Sequence, residues 1–280
     1  LVDYGVFFGS VLHIGANIGE EFESYFESGA KSIFAIEARQ AAVDELKKQF
    51  GWDSRIHIER VAATDSDGGE LVMKVASNGE SSSLLNPKEH LVKHPHITFR
   101  EVEKVPCQTV DSIVGERKFD FINIDVQGAE LMVLRGAEKT IKSAAAIYLE
   151  VNEIEIYERC ALLPEIDIFL REKGFVRAAM EMTEYGWGDA LYVRPIVSIL
   201  LTTYNGQDTI GGSIVSVLKQ DFPCFELLVG LNGCMDKTID VVKGFSDSRI
   251  RIFEFANPNR VSTLNTLLHS ALGKWIAIQD

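Results

Sequence analysis

The chain has 280 residues, which favours two domains, and 46% of them are hydrophobic, enough for each half to bury a core. Its net charge of −13, with no run of basic residues, argues against an electrostatic nucleic-acid binder and against an anionic membrane surface as partner. The sequence shows no signal peptide and no apolar run long enough to cross a membrane, so we predict a cytoplasmic protein, at most peripheral to the inner face of the membrane. Its four cysteines lack CxxC spacing, which predicts free thiols.

The first predicted element is a buried strand at residues 11–14, followed by a turn of small residues at 15–19. A helical pattern begins at Glu20, and a second buried strand at 33–36 ends in Glu37. This order predicts the first half of a nucleotide-type α/β site, with the turn backbone close to a ligand and the first N–H groups of the helix available to an anion. Glu37 would accept hydrogen bonds from two ribose hydroxyls.

The turn has GxxxG spacing and lacks the GxGxxG spacing that suits a dinucleotide pyrophosphate. S-adenosylmethionine has only one carboxylate to seat and demands less of such a turn. Taken alone, the stretch leaves three interpretations open: an adenosine ligand of that kind, NAD with Glu37 on its ribose, or a tight turn in an α/β core.

The next predicted elements are a helix at 40–50, a strand at 56–58 and a half-buried strand at 70–75. Between the two strands, the loop at 61–68 places small residues and Asp65 where an adenine could lie. A plain surface turn fits this loop equally well.

The polar segment at 77–96 breaks the α/β pattern and predicts an inserted loop, the usual place for substrate contacts. It contains His90, His94 and His96, which share no regular ligand spacing with an acid or a cysteine. A solvated or substrate-lining loop is therefore favoured over a metal site.

A hydrophobic strand at 119–125 ends in Asp125 and turns directly into a helix at 129–134. Acids at the carboxyl ends of parallel strands face the ligand crevice of an open α/β sheet, so we expect Asp125 to lie across the crevice from the glycine turn. A strand at 144–151 carries Glu150, either a second functional acid or a structural partner of a backbone group or an arginine.

A helix at 164–174 comes next, and segments 175–180 and 190–193 predict an antiparallel hairpin. A parallel sheet closed by a hairpin at one edge is the plan of a class I methyltransferase, whereas dinucleotide-binding folds usually lack the reversed strand. An Arg-Pro pair then interrupts the pattern, so we predict a first domain at 1–194 and a second at 195–280.

Seven blocks of the first half carry a family resemblance: His-Ile-Gly-Ala-Asn-Ile-Gly-Glu (13–20), Ile-Glu-Ala (36–38), Val-Ala-Ala-Thr-Asp-Ser-Asp-Gly (61–68), Ser-Ser-Ser-Leu-Leu (81–85), Asn-Ile-Asp-Val-Gln-Gly-Ala-Glu-Leu-Met-Val-Leu-Arg-Gly-Ala (123–137), Leu-Glu-Val (149–151) and Phe-Leu-Arg-Glu-Lys-Gly-Phe (169–175). Together they resemble the FkbM family of S-adenosylmethionine-dependent methyltransferases over about residues 12–193. The Asp-Val-Gln-Gly-Ala-Glu block is the most discriminating. The family often has an acid where this chain has His13, and a lysine where it has Asn123.

The resemblance implies a Rossmann-like methyltransferase domain that methylates a hydroxyl, commonly on a sugar or a natural-product scaffold. The cofactor-binding residues that it implies are His13, Gly15, Ala16, Asn17, Gly19, Glu37, Ala62, Ala63 and Asp125. A carboxylate within reach could remove the hydroxyl proton. Asp125 is the first candidate and Glu150 the second, while Glu130 holds the substrate or fixes the turn.

The second half shows another βα alternation, with strands predicted at 196–202, 225–231, 249–253 and 275–280. A second family resemblance rests on the residues Thr203-Tyr204-Asn205, Gly233 with Asp236-Lys-Thr238, Asn265, Ala271-Leu-Gly273 and Ile278-Gln-Asp280. They resemble the first half of a family 2 glycosyltransferase of the GT-A fold, over about residues 197–280.

This second resemblance implies a nucleotide-sugar site whose candidate residues are Thr203, Tyr204, Asn205, Asn232 and Asp280. Asp280 would be the first acid of an Asp-x-Asp motif that binds Mg²⁺ or Mn²⁺. Asn232 stands where the family usually has an aspartate. We expect the second metal-binding acid, the acceptor site and the catalytic base to lie beyond residue 280, so this segment by itself should not transfer sugar.

We therefore predict an O-methyltransferase fused to a glycosyltransferase segment, with a sugar or glycan acceptor and a nucleotide-sugar as partners, in surface-polysaccharide or related glycan biosynthesis. One alternative is a non-catalytic module that binds S-adenosylmethionine and carries a vestigial second half. The other is an NAD-binding Rossmann enzyme, against which the 125–130 block and the edge hairpin argue.

Overall fold

The computed structural model describes residues 9–279. They divide into two compact units: the first runs to Lys173 and includes Ala179–Tyr192, and the second consists of Gly174–Ala178 and the chain from Val193 onward. Within the described range, no helix combines the length and the apolar character needed to cross a membrane.

The strands, in chain order, are β1 (Ser10–Ile14), β2 (Ser32–Glu37), β3 (Ile56–Arg60), β4 (Ala62–Thr64), β5 (Glu70–Ala76), β6 (Phe99–Thr109), β7 (Phe121–Ile124), β8 (Ala146–Asn152), β9 (Val176–Met182), β10 (Trp187–Val193), β11 (Val197–Thr203), β12 (Phe225–Asn232), β13 (Ile250–Phe255) and β14 (Trp275–Gln279). The helices are α1 (Phe22–Glu27), α2 (Gln40–Phe50), α3 (Glu89–Lys93), α4 (Val110–Val114), α5 (Glu130–Arg135), α6 (Leu163–Glu172), α7 (Ile210–Leu218), α8 (Thr238–Lys243) and α9 (Arg260–Ser270).

A seven-stranded sheet with the order β3-β2-β1-β7-β8-β10-β9 forms the centre of the first unit. The pairings from β3 through β8 are parallel. Only residues 183–186 connect β9 to β10, and this connection is too short for a parallel crossover, so the pair is an antiparallel hairpin. The predicted mostly parallel sheet with an antiparallel edge hairpin is confirmed.

Burial explains why the central strands form. Every residue of β7 is buried, as are Val11–Ile14 of β1, because helices cover both faces of a parallel sheet. The apolar stripe of α2, through Ala42, Val43 and Leu46, packs inward.

A three-stranded sheet, β4-β6-β5, was not predicted in full. The expected loop at 61–68 contains β4, which pairs in parallel with the end of β6, and β6 itself pairs antiparallel with β5. All six residues of β6 from Phe99 to Lys104 are at least partly exposed and four of them are charged, so this strand lacks the apolar run by which the central strands were recognised.

The second unit contains a four-stranded parallel sheet with the order β13-β12-β11-β14. All eight residues of β12 are buried, and the side chains of Ile210, Ile214 and Val217 on α7 join its core. These strands and helices agree with the α/β alternation predicted for this half.

Candidate active site

A cavity of about 450 Å³ lies at the carboxyl ends of β1, β2, β7 and β8 in the first unit. The predicted residues that line it are Gly15, Ala16, Asn17, Glu37, Ala62, Ala63, Asp125 and Glu150. Three other predicted residues, His13, Gly19 and Glu130, lie outside its lining. The topology therefore brings most of the predicted site together.

Several backbone N–H groups of the glycine turn (residues 15–19) form hydrogen bonds to nearby backbone carbonyls. The N–H groups of Gly15 and Ala16 donate to the carbonyl of Ile36 at 2.9 and 3.1 Å, and that of Gly19 donates to Ala16 at 2.8 Å. The first helix begins at Phe22, later than expected, and has only six residues. Of the helix itself, the N–H of Phe22 donates to the carbonyl of Gly19 at 3.1 Å, and the prediction that the first helical N–H groups are open to an anion stays a prediction for the others.

Glu37 ties this turn to the end of β2. Its Oε2 accepts the N–H of Asn17 at 2.9 Å, and its Oε1 accepts the N–H of Arg39 at 2.7 Å. Burial raises the pKa of the Glu37 carboxyl, while these two backbone donors act in the opposite direction. Each carboxylate oxygen keeps a second lone pair, so Glu37 can still accept a ligand hydroxyl.

Gln127 joins the two acids that line the cavity beyond the turn. Its Nε2 donates to Oδ1 of Asp125 at 2.7 Å and to Oε2 of Glu150 at 3.1 Å. Tyr157 positions the amide, since its hydroxyl lies 3.0 Å from Oε1 of Gln127. Gln127 also has a left-handed backbone, with φ 55°. Sequence reasoning did not single out this residue as the bridge.

The pKa values of these acids are shifted upward. Asp125 is accessible from the cavity but enclosed by protein; burial raises its pKa, and the hydrogen bond from Gln127 opposes the rise. Burial raises the pKa of Glu150 well above its ordinary value, and the neighbouring carboxylates of Glu130 and Asp125 add to the shift.

Glu130 fixes the turn after β7. It is 2% exposed, and its Oε1 accepts the N–H groups of Gly128 at 3.0 Å and Val126 at 3.3 Å. Burial raises the pKa of Glu130 to about 7. These contacts match the turn-fixing alternative, while the substrate-holding alternative stays a prediction.

His13 and Asn123, the two departures from the family pattern, face each other in the register of β1 and β7. Nε2 of His13 lies 3.4 Å from Nδ2 of Asn123, and its Nδ1 lies 3.3 Å from the hydroxyl of Tyr25. Burial lowers the pKa of His13 to about 4, so the imidazole is neutral at pH 7. Where the family often has an acid and a lysine, this chain has a neutral buried pair.

The inserted loop and the edge hairpin complete the cavity wall. His90, His94 and Ser81 come from the loop, and Trp187 and Asp189 come from β10. Oγ of Ser83 donates to the carbonyl of Gln127 at 2.6 Å and holds the loop against the turn after β7. The Ser-rich block of the sequence signalled this loop, whereas nothing in the sequence placed the hairpin residues at the site.

In the second unit, Thr203, Tyr204, Asn205 and Asn232 lie at the carboxyl ends of β11 and β12. The amide oxygen of Asn205 accepts the N–H of Met235 at 2.8 Å. Oδ1 of Asn232 accepts the N–H of Asn259 at 2.6 Å. Both amides thus have structural partners. Asp280 lies outside the described residues.

Residues 13–177 match the Methyltransferase FkbM domain, and residues 198–280 match Glycosyl transferase family 2. The chain belongs to the FkbM family. Both resemblances seen in the sequence are therefore confirmed, with a family 2 glycosyltransferase segment following the FkbM domain.

Two curated relatives cover the two parts. The FkbM domain is similar to 2-O-methyltransferase NoeI of Sinorhizobium fredii (strain NBRC 101917 / NGR234), with 29% identity over 160 residues, 53% of this chain and 65% of that protein. The second segment is similar to UDP-Glc:alpha-D-GlcNAc-diphosphoundecaprenol beta-1,3-glucosyltransferase WfgD of Escherichia coli, with 42% identity over 87 residues, 30% of this chain and 34% of that protein. The chain thus spans less than two thirds of either relative.

Among solved structures, the N-terminal domain of EvdMO1 with SAH bound has 11% identity and a TM-score of 0.41, and the match covers 69% of this chain and 77% of that one.

The FkbM cavity is strongly acidic. Its carboxylates are those of Glu20, Glu21, Glu37, Glu80, Asp125, Glu150 and Asp189, and they face a single arginine, Arg39. Acids that share an enclosed space create a negative potential and raise one another's pKa. A ligand that brings positive charge relieves this repulsion.

Proposed function

We propose that the FkbM domain transfers a methyl group from S-adenosylmethionine to a hydroxyl of a sugar or glycan. The acidic cavity carries the proposal. The cofactor has two positive groups, a sulfonium and an ammonium, and only one carboxylate, which suits a lining of seven acids and one arginine. The pyrophosphate of NAD would meet the same acids beside a turn in which the N–H groups of Gly15, Ala16 and Gly19 already have partners.

The cavity residues would bind the cofactor at one end and remove the acceptor proton at the other. Glu37 would accept the ribose hydroxyls, and Ala62 with Ala63 would give the adenine a small apolar wall. When bound, the cofactor supplies a methyl carbon made electrophilic by its positive sulfur. Asp125, held by Gln127 and accessible from the cavity, would take the proton of the acceptor hydroxyl, with Glu150 as the second candidate. Enclosure aligns the acceptor and limits water.

The acceptor is proposed from the relatives' names and the domain order. NoeI is named a 2-O-methyltransferase, and WfgD is named a glucosyltransferase that acts on a diphosphoundecaprenol-linked sugar. A methyltransferase joined to a glycosyltransferase segment suits the biosynthesis of a surface polysaccharide or related glycan. The nucleotide-sugar, and a Mg²⁺ or Mn²⁺ ion at Asp280, belong to this proposal. Within residues 9–279, no group of three or more His, Cys, Asp or Glu side chains is arranged to hold a metal.

Calorimetry tests the cofactor, and labelled methyl transfer to a panel of glycans tests the reaction. We expect S-adenosylmethionine and S-adenosylhomocysteine to bind and NAD to give no heat. Binding of NAD without S-adenosylmethionine would overturn the proposal. Binding of the methyl donor without methylation of any acceptor would favour a non-catalytic module.

A further inference from the structure

The cavity extends past Asp125, the first candidate base of the proposed methyl transfer. Glu37 ends β2, and Trp187 begins β10, four strands away in the sheet order. At the usual strand spacing this is a separation of roughly 20 Å. Asp125 lies between them, after β7.

The far part of the cavity is here called the β10 subsite, and its residues are His90, His94, Glu150, Trp187 and Asp189. In-line displacement requires the acceptor oxygen to approach the methyl carbon from the side opposite the sulfur. If the adenosine lies toward Glu37, the acceptor has to lie toward β8 and β10. The β10 subsite is therefore in the right place for the acceptor.

His90 gives this subsite a polar group that needs a partner. The residue is 4% exposed and lines the cavity; its Nδ1 is sealed from solvent without a hydrogen-bond partner among the described residues, so Nε2 is the ring nitrogen that a ligand can reach. The rings of Tyr157, Phe99 and His94 pack around it at centroid distances of 5.0–5.5 Å and restrict its orientation. A bound group that pairs with Nε2 gains affinity, because this nitrogen would otherwise be left unpaired once the ligand excludes water.

The other residues supply the remaining chemistry of sugar recognition. Trp187 is partly buried against Tyr157 and Ile156 and presents an aromatic surface to the cavity. Such a surface suits the C–H face of a pyranose, which is apolar while its edge carries hydroxyls. The carboxylates of Glu150 and Asp189 can accept hydrogen bonds from those hydroxyls.

We propose that the β10 subsite binds one pyranose ring of the acceptor, with Trp187 against its apolar face and Nε2 of His90 paired with a ring hydroxyl. The proposal rests on the proposed methyl transfer. His90 is then a specificity-determining residue, because a sugar without that hydroxyl leaves Nε2 unpaired in the occupied subsite. Desolvation lowers the pKa of His90 to about 4, and the neutral imidazole can take part as donor or acceptor according to its tautomer.

The test uses saturation-transfer NMR on the full chain with methyl glycosides of glucose, N-acetylglucosamine, fucose and rhamnose, with and without S-adenosylhomocysteine. We expect at least one glycoside to bind the wild type, and His90→Phe and Trp187→Ala to weaken it about tenfold or more. Affinity for S-adenosylhomocysteine should change less than twofold. His96→Phe, an exposed histidine on the same loop outside the cavity lining, is the matched control and should bind like the wild type.

A second readout separates recognition from folding. His90→Phe keeps a ring of similar shape and removes the unpaired nitrogen, so it should unfold at the wild-type temperature or above it. Glycoside binding that is absent in the wild type, or unchanged in both subsite variants, would overturn the subsite. If glycosides bind through these residues but S-adenosylhomocysteine does not bind, the subsite stands and the proposed methyl transfer fails.

Discussion

A Cβ atom on Gly15 would lie 1.7 Å from the carbonyl oxygen of Asp125. The two residues directly follow the adjacent strands β1 and β7, and the N–H of Asp125 donates to the carbonyl of Ile14 at 2.9 Å. The glycine therefore allows two segments of the protein's own backbone to approach each other. This contact sets the position of Asp125 relative to the turn.

Gly15→Ala should destabilise the FkbM domain by about 3 kcal/mol or more, because the backbone has to shift and the residue sits at φ 83°. Gly29→Ala is the control, because Gly29 has φ 102° and no atom lies within 4 Å of an added Cβ. Only the left-handed backbone conformation should then lower the free energy of unfolding, by about 1–2 kcal/mol. Denaturant unfolding measures both. Equal losses would show that the approach to Asp125 is not tight.

Asp125→Asn should slow methyl transfer about 10²–10⁴-fold, because the amide cannot take the acceptor proton. Its oxygen can still accept the hydrogen bond from Gln127, so binding of S-adenosylhomocysteine should persist. Glu20→Gln removes a charge from the same lining, is not among the groups that shift the pKa of Asp125, and serves as the electrostatic control. Initial rates of methyl transfer are measured with labelled methyl donor for the wild type and both variants. A rate for Asp125→Asn within tenfold of the wild-type rate would show that Asp125 is not the base.

Gln127→Ala should move the acid limb of the methyl-transfer pH profile to higher pH. The Gln127 amide lowers the pKa of Asp125, so its loss raises that pKa and leaves Asp125 protonated over a wider range. The left-handed backbone at φ 55° is a separate source of strain in alanine. Gln127→Asn tolerates this conformation, and its side chain is one methylene too short to keep the 2.7 Å hydrogen bond to Asp125, so it should show the same shift. A shift confined to the alanine variant would point to strain.

Glu130→Gln should flatten the pH dependence of stability. Burial raises the pKa of Glu130 from 4.5 to about 7, so the folded chain keeps this proton to a higher pH than the unfolded chain. The stabilisation is complete below pH 4.5 and is lost as pH rises to 7, on the order of 3 kcal/mol at 1.36 kcal/mol per unit. The glutamine does not ionise, and its oxygen can still accept the N–H of Gly128. Urea unfolding gives the free energy of unfolding of the wild type and of Glu130→Gln between pH 5 and 8. If the two free energies change with pH in parallel, the raised pKa of Glu130 is contradicted.

Asn232→Ala should destabilise the glycosyltransferase segment by about 1–3 kcal/mol. Oδ1 of Asn232 accepts the N–H of Asn259 at 2.6 Å and the hydroxyl of Thr263 at 3.1 Å, and Thr263 is 1% exposed. Truncation leaves the buried hydroxyl without this acceptor. Asn265→Ala, on the exposed face of the same helix α9, should change stability by less than about 0.5 kcal/mol. Thermal unfolding of both variants gives the comparison.

Much of the fold follows from local pattern. Apolar runs predicted β1, β2, β7 and β8, and periodicity predicted α2. The hydrophobic pattern did not predict β6, because this strand contains Pro106 and several charged residues. Its pairing with β5 in the folded chain stabilises it as a strand. The site was predicted where acids end parallel strands, at Glu37 and Asp125, because strand polarity alone sends such residues to one edge of the sheet.

The sequence by itself determined the strands and helices of the central sheet, the glycine turn and the acids at the ends of β2 and β7, since each depends on neighbours along the chain. Only the tertiary structure decided which groups share the cavity. Gln127 between two carboxylates, His13 opposite Asn123, and Trp187 with His90 at the far end all depend on contacts between residues distant in the chain. Local propensity carries no information on such contacts, because strand order and register fix them.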